Sequence, residues 1–193
     1  MLAIFLIERS VMKNLLSLKS ELSKGGRVKY LFFWGNKPSN TITKSCLSQW
    51  WEKHPFESNG IRYLTAEHYM MAGKAKLFND QEIFEKILDT KHPGEVKKLG
   101  RKVKNFNPKI WYDHAFNIVA EGNYYKFSQH EDLRQFILNT GNRVLVEASP
   151  YDKIWGIGLK ESHPDAGNAF KWKGDNLLGF ALMQARQRIS GNI

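Results

Sequence analysis

Apolar residues recur along this 193-residue chain mostly at spacings of three and four, with short alternating stretches between them. The first periodic segment, MKNLLSLKSELSK (12–24), sets Leu15, Leu18 and Leu22 on one face and runs into Gly25-Gly26. That pattern predicts a short amphipathic helix. RVKYLFFWG (27–35) alternates and then turns aromatic, which reads as a strand ending at Gly35. After a loop-like stretch, CLSQWWEKHPFESNGIRYL (46–64) reads as an aromatic hairpin: a strand, a turn at Ser58-Asn59-Gly60, and a return strand into Leu64. Thr65 is suited to cap the helix that follows, although His68 at the third helical position leaves the capping box incomplete.

Further helices are predicted over 80–88 and 94–103, from near Pro108 and Trp111 onward, and within 128–141, where Gly141 stops the last of these. RVLVEAS (143–149) reads as a buried strand, 150–176 as a glycine-rich loop, and 176–190 as a final amphipathic helix. Six or seven helices with a few short strands predict a predominantly α domain of the α+β class.

Composition adds the probable partners. The formal net charge is +10, which favours anionic ligands such as nucleic acid, nucleotides or phosphorylated metabolites. Aromatics make up 13% of the chain, and they stack on bases and sugars as readily as they fill cores. The single cysteine, Cys46, excludes an internal disulfide and fits a reducing, cytoplasmic setting. The apolar start MLAIFLIERS has no basic leader and is too short to span a membrane. Met12 opens a segment that reads as a start in its own right, so 1–11 is expected to be an upstream extension.

Three constellations bear chemistry. In YLTAEHYMMAGKAKLF (63–78), Glu67, Met70, Met71 and Lys74 share one helical face. Glu67 and Lys74 lie about 10.5 Å apart along the axis, too far to pair but able to converge on one ligand. In VEASPYDKIWGIGLK (146–160), a strand feeds Asp152, Trp155, Gly156 and Gly158, where backbone can approach a sugar or phosphate. KKLGRKVKNFNPK (97–109) holds six basic residues and no acid, and Arg101 beside Gly100 has room for bidentate phosphate binding. Each also has a plain reading: solvated helix charges, a structural turn around a core tryptophan, and a solvated basic face. Metal-spaced His or carboxylate motifs, P-loops and serine-nucleophile elbows are missing, so neither a metal nor a cofactor is expected.

The blocks FFWG (32–35), LSQWW (47–51), TAEHYMMAGKA (65–75), LGR (99–101), KF (126–127), ILNTG (137–141), LVEASPYDKIWGIGL (145–159) and NLLGFALMQAR (176–186), in this order, resemble the NADAR, or YbiA-like, family. The resemblance spans about residues 30–188 and implies one domain over 29–190 behind an extension at 1–28. It implies a compact, mainly helical N-glycosidase without a metal. Its substrates would be phosphoribosylamino-pyrimidine intermediates of riboflavin biosynthesis, or ADP-ribose attached to guanine in DNA or RNA. Carried over residue by residue, it implies catalytic roles for Glu67, Lys74 and Asp152. Trp34, Gly35, Trp50, His68, Arg101, Trp155, Gly156 and Asn176 would line the substrate pocket. Two other classes stay open: a module that binds ADP-ribose or a nucleotide without turnover, and a basic nucleic-acid-binding protein.

Overall fold

The computed structural model describes residues 14–37 and 39–191, so the expectation for 1–11 and Met12 lies outside the described residues. Its centre is α2 (Ala66–Leu77), whose apolar and small residues are buried along most of its length. Thr65 caps it, the hydroxyl accepting from the His68 amide at 3.3 Å. Around α2 pack α3 (Gln81–Asp89), α4 (Pro93–Gly100) and the long α5 (Pro108–Ser128). On the far side of α5 lie α6 (Glu131–Asn139) and α7 (Leu177–Ile189).

The strands are short. β1 (Tyr30–Phe33) and β4 (Val144–Glu147) form a parallel pair, Phe33 opposite Glu147. β2 (Phe56–Ser58) and β3 (Ile61–Tyr63) form an antiparallel hairpin, with Asn59 and Gly60 both at positive φ in its turn. These φ values are what a two-residue hairpin loop requires. Seven α-helices and four strands among the described residues make the fold the predominantly helical α+β domain expected. α1 (Leu15–Ser23) docks on the body, with Leu18 fully buried near the short 3-10 turn Ala169–Lys171.

Two readings shift. The strand expected from residue 46 is a 3-10 turn, Lys44–Leu47, followed by turns, and pairing begins only at Phe56. The cause is Lys126 on α5, fully buried, whose ammonium donates to the carbonyls of Cys46 (2.6 Å) and Ser48 (2.8 Å). A carbonyl pair gathered by one ammonium cannot also pair in a ladder. The helix expected over 94–103 starts one residue earlier, with Pro93 in its first turn, and ends at Gly100.

β4 has a second neighbour that is not a strand. Asn176, just before α7, adopts a left-handed conformation at φ 56 that asparagine tolerates. Its Oδ1 accepts from the Glu147 amide at 2.9 Å and its Nδ2 donates to the Leu145 carbonyl at 2.9 Å. One side-chain amide thus completes the buried edge of β4. Gly179 lets α7 come this close, since a Cβ there would sit 2.0 Å from the Leu145 carbonyl oxygen.

Replacing Asn176 with Ala strands a buried N–H and a buried C=O at about 1–3 kcal/mol each. Denaturant unfolding is expected to show Asn176→Ala destabilised by about 2–5 kcal/mol. A loss under about 0.5 kcal/mol, the scale of an ordinary surface change, would show that the edge needs no partner.

Candidate active site

The first turn of α2 is tied to the aromatic segment before it, because the Glu67 amide donates to the Gln49 carbonyl at 3.0 Å. Asn36, in the loop after β1, donates to the Trp50 carbonyl at 3.1 Å. Together with Lys126 beneath residues 46 and 48, these bonds hold Trp50 over the start of α2. The Glu67 carboxyl, only 5% exposed, accepts a hydrogen bond from the Trp50 indole.

Burial pushes the Glu67 carboxyl up to about 7. Lys97, the Trp50 hydrogen bond and Arg101 pull it down, while the negative charge of Asp152 adds to the rise. Three elements therefore meet here: α2 with Glu67, α4 with Lys97 and Arg101, and the loop after β4 with Asp152. The Lys97 ammonium sits 6.0 Å from the centre of the Trp50 ring.

Asp152 is oriented by its own loop. Its Oδ1 accepts from the amides of Ile154 (2.9 Å) and Trp155 (2.7 Å), a turn that aspartate side chains readily form. Gly156 fits under this turn because a Cβ there would come within 2.9 Å of the Glu147 carbonyl oxygen. Trp155 is part-buried against the core. Trp34 follows β1 and Tyr151 follows β4, so the parallel pairing delivers both to one rim, with ring centroids 6.1 Å apart. They are 51% and 84% exposed, and Gly35 beside Trp34 takes a φ of 79°.

Lys74 lies two turns along α2 on the same face. Its ammonium donates to the Gly100 carbonyl at 2.8 Å and stands 4.0 Å above Phe106 and 5.6 Å from Trp111. Burial lowers its pKa, and the aromatic faces oppose that by favouring the ammonium. Gly100 permits the approach of α4, since a Cβ there would meet the Met71 sulfur at 2.0 Å. Lys74 and Glu67 thus flank the seam between α2 and α4, with Arg101 on α4's last turn.

Two expected pocket residues have structural work. His68 is 1% exposed, its Nδ1 accepting from the Thr65 hydroxyl and its Nε2 donating to the Thr90 carbonyl, each at 2.8 Å. Both ring nitrogens are engaged as in a neutral imidazole, and burial lowers the pKa accordingly. Asn176 is fully buried and its amide serves β4, so it positions Glu147.

Sequence reasoning passed over Lys97 and Glu147. Glu147 ends β4, and its carboxyl is pushed up to about 8 by burial and by the charge of Asp152, against Lys97 and with a smaller push from Glu67. An acid closing the apolar run VLVE just before ASPYD was the available signal. The basic run divides in two. Lys98, Lys104 and Lys109 pair with Glu95, Glu82 and Asp113, whereas Lys97, Arg101 and Lys102 form no ion pair among the described residues.

Among the described residues no group of His, Cys, Asp or Glu is placed to hold a metal ion, and no helix is long and apolar enough to cross a membrane. A cleft of about 320 Å³ between α5 and α7 is lined by His114, Glu121, Tyr124 and Arg188. It shares no residue with the carboxyl cluster. Glu121 is already bound by the Tyr69 hydroxyl, and the Arg188 guanidinium lies 3.6 Å over the Tyr124 ring.

The raised carboxyls make stability depend on pH. Glu67 and Glu147 hold protons in the folded state that the unfolded chain releases near 4.5. Their stabilising contribution is complete below that value and is lost as pH rises through about 7 to 8. Glu67→Gln removes the penalty. Thermal or urea melts are expected to show it gaining on the order of 2–3 kcal/mol over wild type on going from about pH 4.5 to about pH 8.5. An equal difference at both ends of the range contradicts the assignment.

Residues 32–190 match the model of the NADAR domain. The "N-glycosidase R617" of Acanthamoeba polyphaga mimivirus is 49% identical over 164 residues, which is 82% of this chain and 95% of the relative. The N-glycosidase YbiA of Shigella flexneri is 31% identical over 136 residues, 70% of this chain and 76% of the relative. The NMR structure of the Escherichia coli protein YbiA matches with a TM-score of 0.65 at 26% identity, covering 86% of this chain and 89% of that one. Given the domain match over most of its length and these relatives, this chain belongs to the NADAR family.

Proposed function

We propose that this chain is a hydrolase of the N-glycosidase class, breaking the bond between C1 of a ribosyl or ADP-ribosyl group and a nucleobase-type amine. The observation that carries this reading is the Glu67 carboxyl, buried beneath the Trp50 indole and facing Asp152, Lys97 and Arg101. Relatives named N-glycosidases support the class of reaction.

Cleaving a C1–N bond builds positive charge at C1, and a nearby carboxylate stabilises it. Glu67 and Asp152 are placed for that role and for carrying protons. Trp50, Trp34 and Trp155 offer aromatic faces to the base or sugar. Arg101 and Lys97, without ion-pair partners, are suited to a phosphate or diphosphate. That free positive charge favours ADP-ribose on guanine in DNA or RNA over the smaller phosphoribosylamino-pyrimidine.

Lys74 is the proposed nucleophile. Its amine, made more available by partial burial, adds to C1 while the C1–N bond breaks and the departing nitrogen takes up a proton. Water then hydrolyses the resulting imine, returning free sugar and free Lys74. One water is consumed in all.

Incubating the protein with ADP-ribosylated guanine DNA, and separately with the riboflavin intermediate, measures which releases sugar. Release from the DNA is expected, and Lys74→Ala is expected to lose about 100-fold or more in rate. Borohydride is expected to trap sugar on Lys74. Near-full turnover by Lys74→Ala rules out the covalent route, and no release from either substrate rules out the glycosidase.

A further inference from the structure

Glu147 combines a fixed backbone with an unengaged side chain. Its N–H is held by Asn176 Oδ1 at 2.9 Å and its carbonyl by the Ile157 amide at 2.9 Å. Gly156 presses against the same carbonyl so closely that no Cβ fits between. By contrast, no described residue gives the carboxyl a hydrogen bond or an ion pair.

The charged groups acting on that carboxyl come from three elements: Glu67 from α2, Asp152 from the loop after β4, and Lys97 from α4. Two of the three are acids. Asp152 is kept in place by two backbone amides, and Glu67 by the Trp50 indole. A third carboxyl set beside these, largely out of water and without a donor of its own, is most stable with its proton on. A neutral carboxylic acid in such a place has an O–H to give.

We propose that Glu147 is the general acid of the reaction, delivering to the leaving nitrogen the proton it needs as the C1–N bond breaks. The inference rests on the N-glycosidase reading of this site and adds to it the identity of the proton donor. The electron pair of the C1–N bond goes to the nitrogen, the Glu147 proton joins it there, and the base departs as a neutral amine. Water supplies the oxygen that C1 finally keeps, and the proton lost by that water returns to Glu147 through Glu67 or Asp152. The residue ends the cycle as it began.

Two carboxyls thereby differ in task because their surroundings differ, a division seen wherever an acid and a base share one site. Glu67 has a donor in Trp50 and two basic neighbours, which favour its ionised form near neutrality. Glu147 lacks the donor and has Lys97 as its basic neighbour. The value of about 8 that burial and Asp152 impose keeps Glu147 protonated at neutral pH, where an acid catalyst is needed.

The test is Glu147→Gln, which keeps the side-chain shape and removes the transferable proton. Sugar release from the ribosylated amine is measured for wild type and variant from about pH 6 to about pH 10. Wild-type kcat/KM is expected to fall above about pH 8. The variant is expected to be about 100-fold slower at neutral pH, with KM little changed and the alkaline fall gone. A residue that only packs would not set that limb. A variant within about threefold of wild type, or one that keeps the same alkaline limb, overturns the proposal. Wild type that releases no sugar overturns the underlying glycosidase reading, a different result. A carbon-13 carboxyl titration of wild type needs no turnover: Glu147 holding its proton past about pH 7 supports the assignment, and titration near 4.5 overturns it.

Discussion

The side-chain amide of Asn176 does for β4 what a third strand would do. β4 pairs with β1 along one edge, and its other edge faces the protein interior, where an unmet N–H or C=O is costly. Asn176 meets both at 2.9 Å and sets the start of α7 at the same stroke. Gly179 then allows the helix to lie against the strand with nothing between. The end of β4 is consequently rigid, and Glu147, Ser149 and Asp152 leave it in determined directions.

The other wall of the site depends on a buried cation. Lys126 lies wholly inside the protein, where burial lowers its pKa to about 7, and it gathers the carbonyls of residues 46 and 48. The Glu67 amide and Asn36 secure the next two residues. Trp50 is thus anchored from below, from α2 and from the β1 loop before any ligand arrives. Such prior fixing is what electrostatic catalysis requires, because groups already in place need no reorganisation during the reaction.

Periodicity made the helices legible, since each of α2, α3, α5 and α7 buries a face that recurs every three or four residues. The 46–64 segment misled because its aromatic residues suit a strand, while the deciding contact, Lys126, lies about eighty positions away. His68 and Asn176 sit within motifs full of site residues, yet their polar atoms face backbone; only the folded partners distinguish positioning from contact. Glu147 was hidden by the opposite effect, an acid ending a strand whose importance comes from Asp152 and Glu67 arriving beside it. The basic run 97–109 could not be divided by sequence, because Glu82 and Asp113, which neutralise two of its members, belong to other helices or turns.

The central claim is that the sugar binds among Glu67, Asp152 and Glu147 beneath Trp50. A crystal structure of the protein with ADP-ribose tests it most directly. The arrangement predicts C1 of the ribose beside the carboxyls and the diphosphate toward Arg101 and Lys97. A ligand seated instead in the α5–α7 cleft, against Glu121 and Arg188, would contradict it.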